Sequence, residues 1–314
     1  MAYSANNNIL DDHYNEFATG SAGGTANHGV RNVNTIWGVG SGGKGYGQTS
    51  TAVSIVNAGT NIAAAAWTTL LNRIDSIAAH QGATWANPTN PTTGDNVALF
   101  TTLDSQLTSM YTNSENHVAN GSDVTSTIAA SGTWTSNTLQ YATYTWSSAN
   151  QARYFFNAGG TIRVSFARTG GSSRNKNTEW SDLATKCGTL EISSYAMTKS
   201  GGGGSTNVLN STGWYEVTTS DVVNFRQYAD TSPYTANYIQ VYTARSADST
   251  QLFIKVQYQD AAADHTAPPG TNDANADIVN GTVTTTFVQR PPSTTHISNS
   301  WGTLSFATAT NTQS

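Results

Sequence analysis

Between residues 60 and 82, Ile62, Ala66, Trp67, Leu70, Leu71, Ile74, Ile77 and Ala78 recur every three or four positions, the spacing of one buried helix face. Gly59-Thr60-Asn61 offers a start and Gly82 a stop, so the pattern predicts a helix here. A second helical period runs from about residue 95 to 117 through Phe100, Leu103, Leu107 and Met110 or Tyr111. An antiparallel hairpin is the simplest way to pair the two. The connection at 83–94 holds Pro88 and Pro91 and reads as irregular. Nearer the start, Ile9, Leu10, Tyr14 and Phe17 follow Asn8 at helical spacing, which predicts a short helix over 8–18.

After Gly121 the period changes to two. Alternation predicts strands at 133–134, 139–146, 152–156, 161–168, 189–198, 206–210, 215–218, 238–245, 251–259 and 282–289. Asn157-Ala158-Gly159-Gly160 reads as a tight hairpin between two of them, with Arg153 and Arg163 flanking it as intersubunit anchors or exposed rim residues. The run 201–204 of four glycines is a hairpin tip or linker, and only 177–186, around Trp180 and Leu183, offers a helical turn. Pro291 and Pro292 end the last long strand, and 303–307 alternates as one more, able to pair at home or with a neighbour. The expected fold is mainly β with a helical N-terminal region and a C-terminal β-sandwich or jelly-roll-like domain. Its parts are a helical docking region with a glycine-rich loop (1–120), the sandwich (122–290) and an extended C-terminal tail (291–314).

Composition narrows the function classes. Only 11% of the 314 residues are charged, against about 25% in an average soluble domain, so Ser, Thr, Asn and Gln must wet the surface. Such a surface suits a protein that touches other proteins or sugars. The net charge is −5 and no cluster of Lys and Arg appears, which argues against a nucleic-acid partner. No run approaches the roughly 18 apolar residues of a membrane span, and the polar stretch 1–10 lacks the basic and apolar regions of a signal peptide. The single cysteine, Cys187, excludes an internal disulfide and any CxxC site, and reads as a small buried apolar residue.

Candidate chemistry is sparse. Gly38, Gly40 and Gly43 fit GxGxxG loosely, yet the strand before, the helix after and the acid about 20 residues on are missing. The loop 38–48 reads instead as a subunit contact where backbones approach closely. Glu216, Asp221, Asp230 and Asp248 are the carboxylates a glycoside hydrolase would need, but their spacing brings no two together. Asp260, Asp264, His265, Asp273 and Asp277, with Asn272 and Asn275, share one loop and offer oxygen ligands for calcium; their spacing matches no known loop motif, and a solvated hairpin loop around Pro268-Pro269-Gly270 is the favoured explanation. The histidines at 13, 28, 80, 117, 265 and 296 form no helical pair, and His80 suits the negative end of its helix dipole. Of Trp134, Tyr141, Tyr144 and Trp146, most are expected in the core, a sugar platform being the alternative. No catalytic, cofactor-binding or metal-ligating residue is assigned, and no enzymatic activity is expected.

Several segments resemble a family of virion structural proteins of tailed bacteriophages, contractile-tailed phages of aquatic bacteria in particular. The likeness is carried by Ile9-Leu10-Asp11-Asp12-His13-Tyr14-Asn15, by the loop ending Gly45-Tyr46-Gly47-Gln48, and by Trp67-Thr68-Thr69-Leu70 leading to His80-Gln81-Gly82. It continues through the stretch 152–163, which begins Ala152-Arg153-Tyr154, and reaches Trp180, so that it covers about 8–288. The resemblance implies a component of the neck, collar or tail, fibre-like in character, with no catalytic residues to carry over. It implies other virion proteins and copies of itself as partners, in a homotrimer or larger ring, within a virion assembled in the host cytoplasm. A host-receptor adhesin that binds surface glycans and a polysaccharide-degrading tail enzyme are the rival expectations.

Overall fold

Successive side chains of a strand point to opposite faces, so a run such as Thr138, Gln140, Ala142 and Tyr144 against Leu139, Tyr141 and Thr143 requires one covered face and one wet face. A computed structural model, which describes residues 11–20, 29–85, 90, 92, 100–134, 136–171, 175–262 and 279–313, meets that requirement with a β-sandwich. The chain divides into two units. One takes in the residues up to Gly121 with 153–160 and 291–302; the other takes 122–152, 161–290 and 303–314.

The second unit holds the strands β1 (Val124–Ser131), β2 (Asn137–Thr145), β3 (Thr161–Thr169), β4 (Thr189–Ile192), β5 (Met197–Ser200), β6 (Thr206–Leu209), β7 (Val222–Tyr228), β8 (Tyr238–Arg245), β9 (Gln251–Gln259), β10 (Thr282–Arg290) and β11 (Ser305–Gln313). They form two antiparallel sheets, ordered β1-β10-β3-β4-β5 and β11-β2-β9-β8-β7-β6. Strands β1 and β2 lie in different sheets and pair with β10 and β9, from Val124↔Gln289 to Ser131↔Thr282 and from Asn137↔Gln259 to Thr145↔Gln251. The β1–β2 and β9–β10 ribbons thus run together across both sheets, the wrap of a jelly roll, while β6 to β9 follow one another as a meander in one sheet.

Between the sheets, Phe166 stacks on Phe225 with ring centroids 6.3 Å apart, and Phe287 meets Phe306 at 5.8 Å. One polar bridge crosses this apolar layer. Buried Thr285 on β10 donates to Gln140 Oε1 on β2, and Tyr258 on β9 joins it at 2.8 Å. Full burial raises the Tyr258 phenol far above its ordinary range, so it remains a neutral donor or acceptor.

Two departures from simple alternation have local causes. A bulge between Val223 and Phe225 turns both Asn224 and Phe225 inward, which hides the period of β7. Strand β1 is masked differently: Thr125, Ser126 and Thr127 leave only Ile128 buried along its length. The stretch 189–198 is two short strands joined where Ser193 N donates to Ala196 O at 2.8 Å, and 215–218 is a turn and not a strand.

The expected strand at 152–156 is a helix, α5 (Ala149–Asn157). Ser148 caps it by accepting from Gln151 N at 3.2 Å, and Ala152, Phe155 and Phe156 form its buried face. What read as a hairpin is the end of this helix: Gly160 N donates back to Phe155 O at 2.8 Å, and Gly159 takes φ +93°. A Cβ at Gly159 would also lie 2.2 Å from the His117 ring, so only glycine fits. The helical turn expected at 177–186 is a full helix, α6 (Asn175–Cys187), reaching β3 of one sheet and β7 and β8 of the other. Trp180, 1% exposed, meets Trp134 edge-on at 4.8 Å; burying such a ring stabilises by about 2–3 kcal/mol. Cys187 is buried on the same helix, as its isolation suggested.

The first unit contains α1 (Asp11–Thr19), α2 (Val33–Trp37), α3 (Ala64–His80) and α4 (Phe100–Thr112). Its core joins Tyr14 and Phe17, Val33 and Ile36, the Trp67-to-Ile77 stripe, and Leu103 with Leu107. Helix α3 starts at Ala64, behind an Ala63 cap with no side-chain bond, and not at the expected Gly59-Thr60-Asn61. Helices α3 and α4 do not form an antiparallel hairpin: Gln81, just past α3, donates to Met110 O near the end of α4 at 2.9 Å, so their C-termini converge. Residues 291–314, expected as an extended tail, divide. The part 291–302 belongs to the first unit, and β11 pairs with β2 from Ser305↔Thr145 to Gln313↔Asn137.

Candidate functional site

The glycine loop 38–48 has no regular element, as its composition demands, yet it is firmly held. Tyr46 N, Gly47 N and Gln48 N donate to Ile36 O, Gly38 O and Trp37 O, each at 2.9 Å, so the loop doubles back on the end of α2. Its remaining carbonyls gather around two side chains of α5. Asn157 Nδ2 reaches the carbonyls of Gly42, Lys44 and Gly45 at 3.2, 3.0 and 3.1 Å, and Arg153 Nη2 reaches those of Val39, Gly42 and Lys44 at 3.2, 3.3 and 3.3 Å. A phosphate loop turns N–H groups toward an anion, whereas this loop turns oxygens toward a guanidinium. Arg153 therefore clamps the loop from within the chain. Arg163 is ion-paired with Glu191.

The four carboxylates a hydrolase would need are committed separately. Asp221 pairs with Lys255, Asp230 with Lys186, and Glu216 accepts from Gly213 N at 3.4 Å. Asp248 closes the 246–251 turn, accepting from Ser246 Oγ at 2.5 Å and from Thr250 N and Oγ1 at 3.1 and 2.9 Å, and these bonds, that from Ser246 foremost, hold its carboxyl below the usual range. Glu179, Asp182 and Asp230 bring carboxylate oxygens within 4.8 Å of one another, but Lys186 bonds to both aspartates and supplies the cation. Of the loop considered for calcium, Asp264, His265, Asp273 and Asp277 lie outside the described residues. Asp260 faces Lys176 at 2.7 Å, with both side chains 1% exposed, and is one half of a buried ion pair.

His80 is buried, and its Nε2 donates to Ala158 O at 3.1 Å. Burial, with smaller contributions from His117 and His296, lowers its pKa to about 4, although the Ala158 bond works the other way. The ring is neutral at pH 7, so it does not act as a cation on the helix dipole. Among the aromatic candidates, Trp134, Tyr144 and Trp146 are core and Tyr141 lies half-buried on the outer face of the six-stranded sheet. On that face Arg226 lies over both Tyr228 and Tyr238, at 5.7 and 5.0 Å, and Lys255 lies 4.0 Å over Tyr242. A cation thus lies over each of these three rings, which leaves less of their faces open to stacking.

The four sheet edges differ in kind. Strand β5 is four residues long and carries Lys199; β6 is four residues long with an irregular register. Both are protected edges. Strands β1, Val-Thr-Ser-Thr-Ile-Ala-Ala-Ser, and β11, Ser-Phe-Ala-Thr-Ala-Thr-Asn-Thr-Gln, are eight and nine residues long, regular in register and without charge or proline. They approach each other, so both bare edges lie along one side of the sandwich. The sequence supplied β11 as a strand able to pair outward; β1 went unread because exposed threonine and serine give no alternation.

No family model, curated protein or solved structure matches the chain. Among the described residues, no helix is long and apolar enough to cross a membrane.

Proposed function

We propose that this chain is a structural component of a tailed-phage virion, in the neck, the collar or a tail-associated fibre, and that it works by oligomeric assembly without catalysis. The uncharged edges of β1 and β11 carry the reading. Among the described residues, each edge leaves alternate N–H and C=O groups without a sheet partner, a template for another strand. Because both lie on one side, copies set around an axis present β1 of one to β11 of the next. Such a head-to-tail contact closes into a ring, and a homotrimer is the simplest one expected here. Strands of other virion proteins can add to the same edges. The resemblance to phage virion proteins supplies the kind of particle, and the edges supply the mode of assembly.

Light scattering on the full chain at micromolar concentration tests this. The expected mass is a multiple of 33.1 kDa, threefold for the trimer. Thr127→Lys with Thr308→Lys, both at exposed edge positions, is expected to return it to a single chain that keeps its circular dichroism spectrum. Wild-type protein that runs as one chain sinks the proposal.

A further inference from the structure

A cleft of about 240 Å³ in the first unit joins parts of the chain that lie far apart in sequence. Trp37, Thr51 and Arg73 form one part of its lining, and the segment 294–298 forms another. Gln48 holds that segment in place, donating to Ser298 O at 2.7 Å and accepting from Ser298 N at 3.0 Å. The Arg73 guanidinium lies over the Trp37 ring, 5.3 Å from its centroid, and Nε donates to Thr51 O at 2.9 Å. Trp37 Nε1 in turn donates to Thr51 Oγ1 at 2.9 Å, so the plane of the guanidinium is fixed from two directions.

Both Nη groups of Arg73 are without a hydrogen-bond partner among the described residues. The same holds for the imidazole of His296 and the hydroxyl of Thr294, exposed side chains that line the cleft. No carboxylate lines it. An immobilised guanidinium beside an imidazole and a hydroxyl, with no carboxylate among the described lining residues, is a donor set that selects an oxyanion. The volume falls below the roughly 300–1,000 Å³ of pockets for drug-sized ligands, leaving room for one sugar-sized group. We propose that the cleft binds a single hydroxylated unit bearing one carboxylate or phosphate, with Arg73 taking the anion and Thr294 and His296 contacting the atoms beside it. The inference is independent of assembly through the sheet edges.

Isothermal titration of the full chain with glucuronate, glucose 6-phosphate, glucose and inorganic phosphate tests it. One of the two anionic sugars is expected to bind at least about tenfold more tightly than glucose, and which one it is separates carboxylate from phosphate. Arg73→Gln is expected to weaken that binding at least about tenfold. Since Arg73 also covers Trp37, Thr294→Ala and His296→Ala at exposed positions provide the control for folding, each expected to cost a few-fold in affinity. The proposal is overturned if neither anionic sugar binds, if glucose binds as well, if inorganic phosphate binds as tightly as the sugar phosphate, or if all three variants bind unchanged.

Discussion

The two units satisfy their backbone amides by different means. In the sandwich, ladders do it: every strand pairs antiparallel with at least one other, and side chains are left to fill the space between sheets. In the first unit, long irregular stretches have no ladder, and amide side chains replace it. Asn34 donates to Val53 O at 2.8 Å and accepts from Val53 N at 2.9 Å; Asn15 does the same to Val56, both bonds at 2.8 Å; Gln48 does so to Ser298. Each is the two-point contact that one peptide group makes with another. An amide-rich, charge-poor composition therefore has an internal use as well as a surface one. The expectation that such residues chiefly wet the exterior holds for Thr125 and Thr127 of β1 and Thr308 and Thr310 of β11 and fails for these amides.

The largest expected effect tests the sandwich where it departs from apolar packing. Lys176→Met leaves Asp260 buried without its cation and is expected to cost about 3–5 kcal/mol in urea unfolding, most of it recovered by adding Asp260→Leu. A double variant as unstable as the single one would mean that the pair is not the cause.

Next comes an acid transition of the first unit. Unfolded His80 takes up a proton near 6.5, and the folded ring does so only near 4, so in that interval the unfolded state binds more protons. Stability should fall as pH drops from 6.5 to 4, by about 3 kcal/mol in all, and level off below. Urea midpoints measured across this range, with His80→Gln as the comparison, check it; the slope is expected to shrink in the variant.

The smallest effect sharpens the contrast itself. Asn34→Ala strips both partners from Val53 and is expected to cost about 2 kcal/mol, whereas Gln257→Ala, on the outer sheet face, should cost less than about 0.5 kcal/mol. Equal costs in thermal or urea unfolding would remove the distinction between clamping amides and surface amides.

Much of the sandwich was legible because several central strands keep a strict period: β2 and β9 alternate throughout, and β10 over most of its length. Helix α5 was not, because Tyr154-Phe155-Phe156 has the composition of a strand, and only Ser148 with Gln151 marked a helix start. The candidate sites were less legible still. Arg73 and His296 lie 223 positions apart by number, and no local pattern links them. Lys176 and Asp260 are joined only by the fold, so Asp260 reads as one of the loop's candidate calcium ligands and nothing in the sequence singles out Lys176.

The chain passes between the two units after Gly121, Ala152, Gly160, Arg290 and Gly302. Neither unit is consequently a contiguous piece that a protease or a gene boundary can cut free. A fragment ending at Arg290 would lack β11 and expose the hydrogen-bonding side of β2, a central strand with no means of edge protection. Terminal truncation, harmless to proteins whose domains follow one another like beads, would here strip one sheet of its outermost strand and leave an aggregation-prone edge.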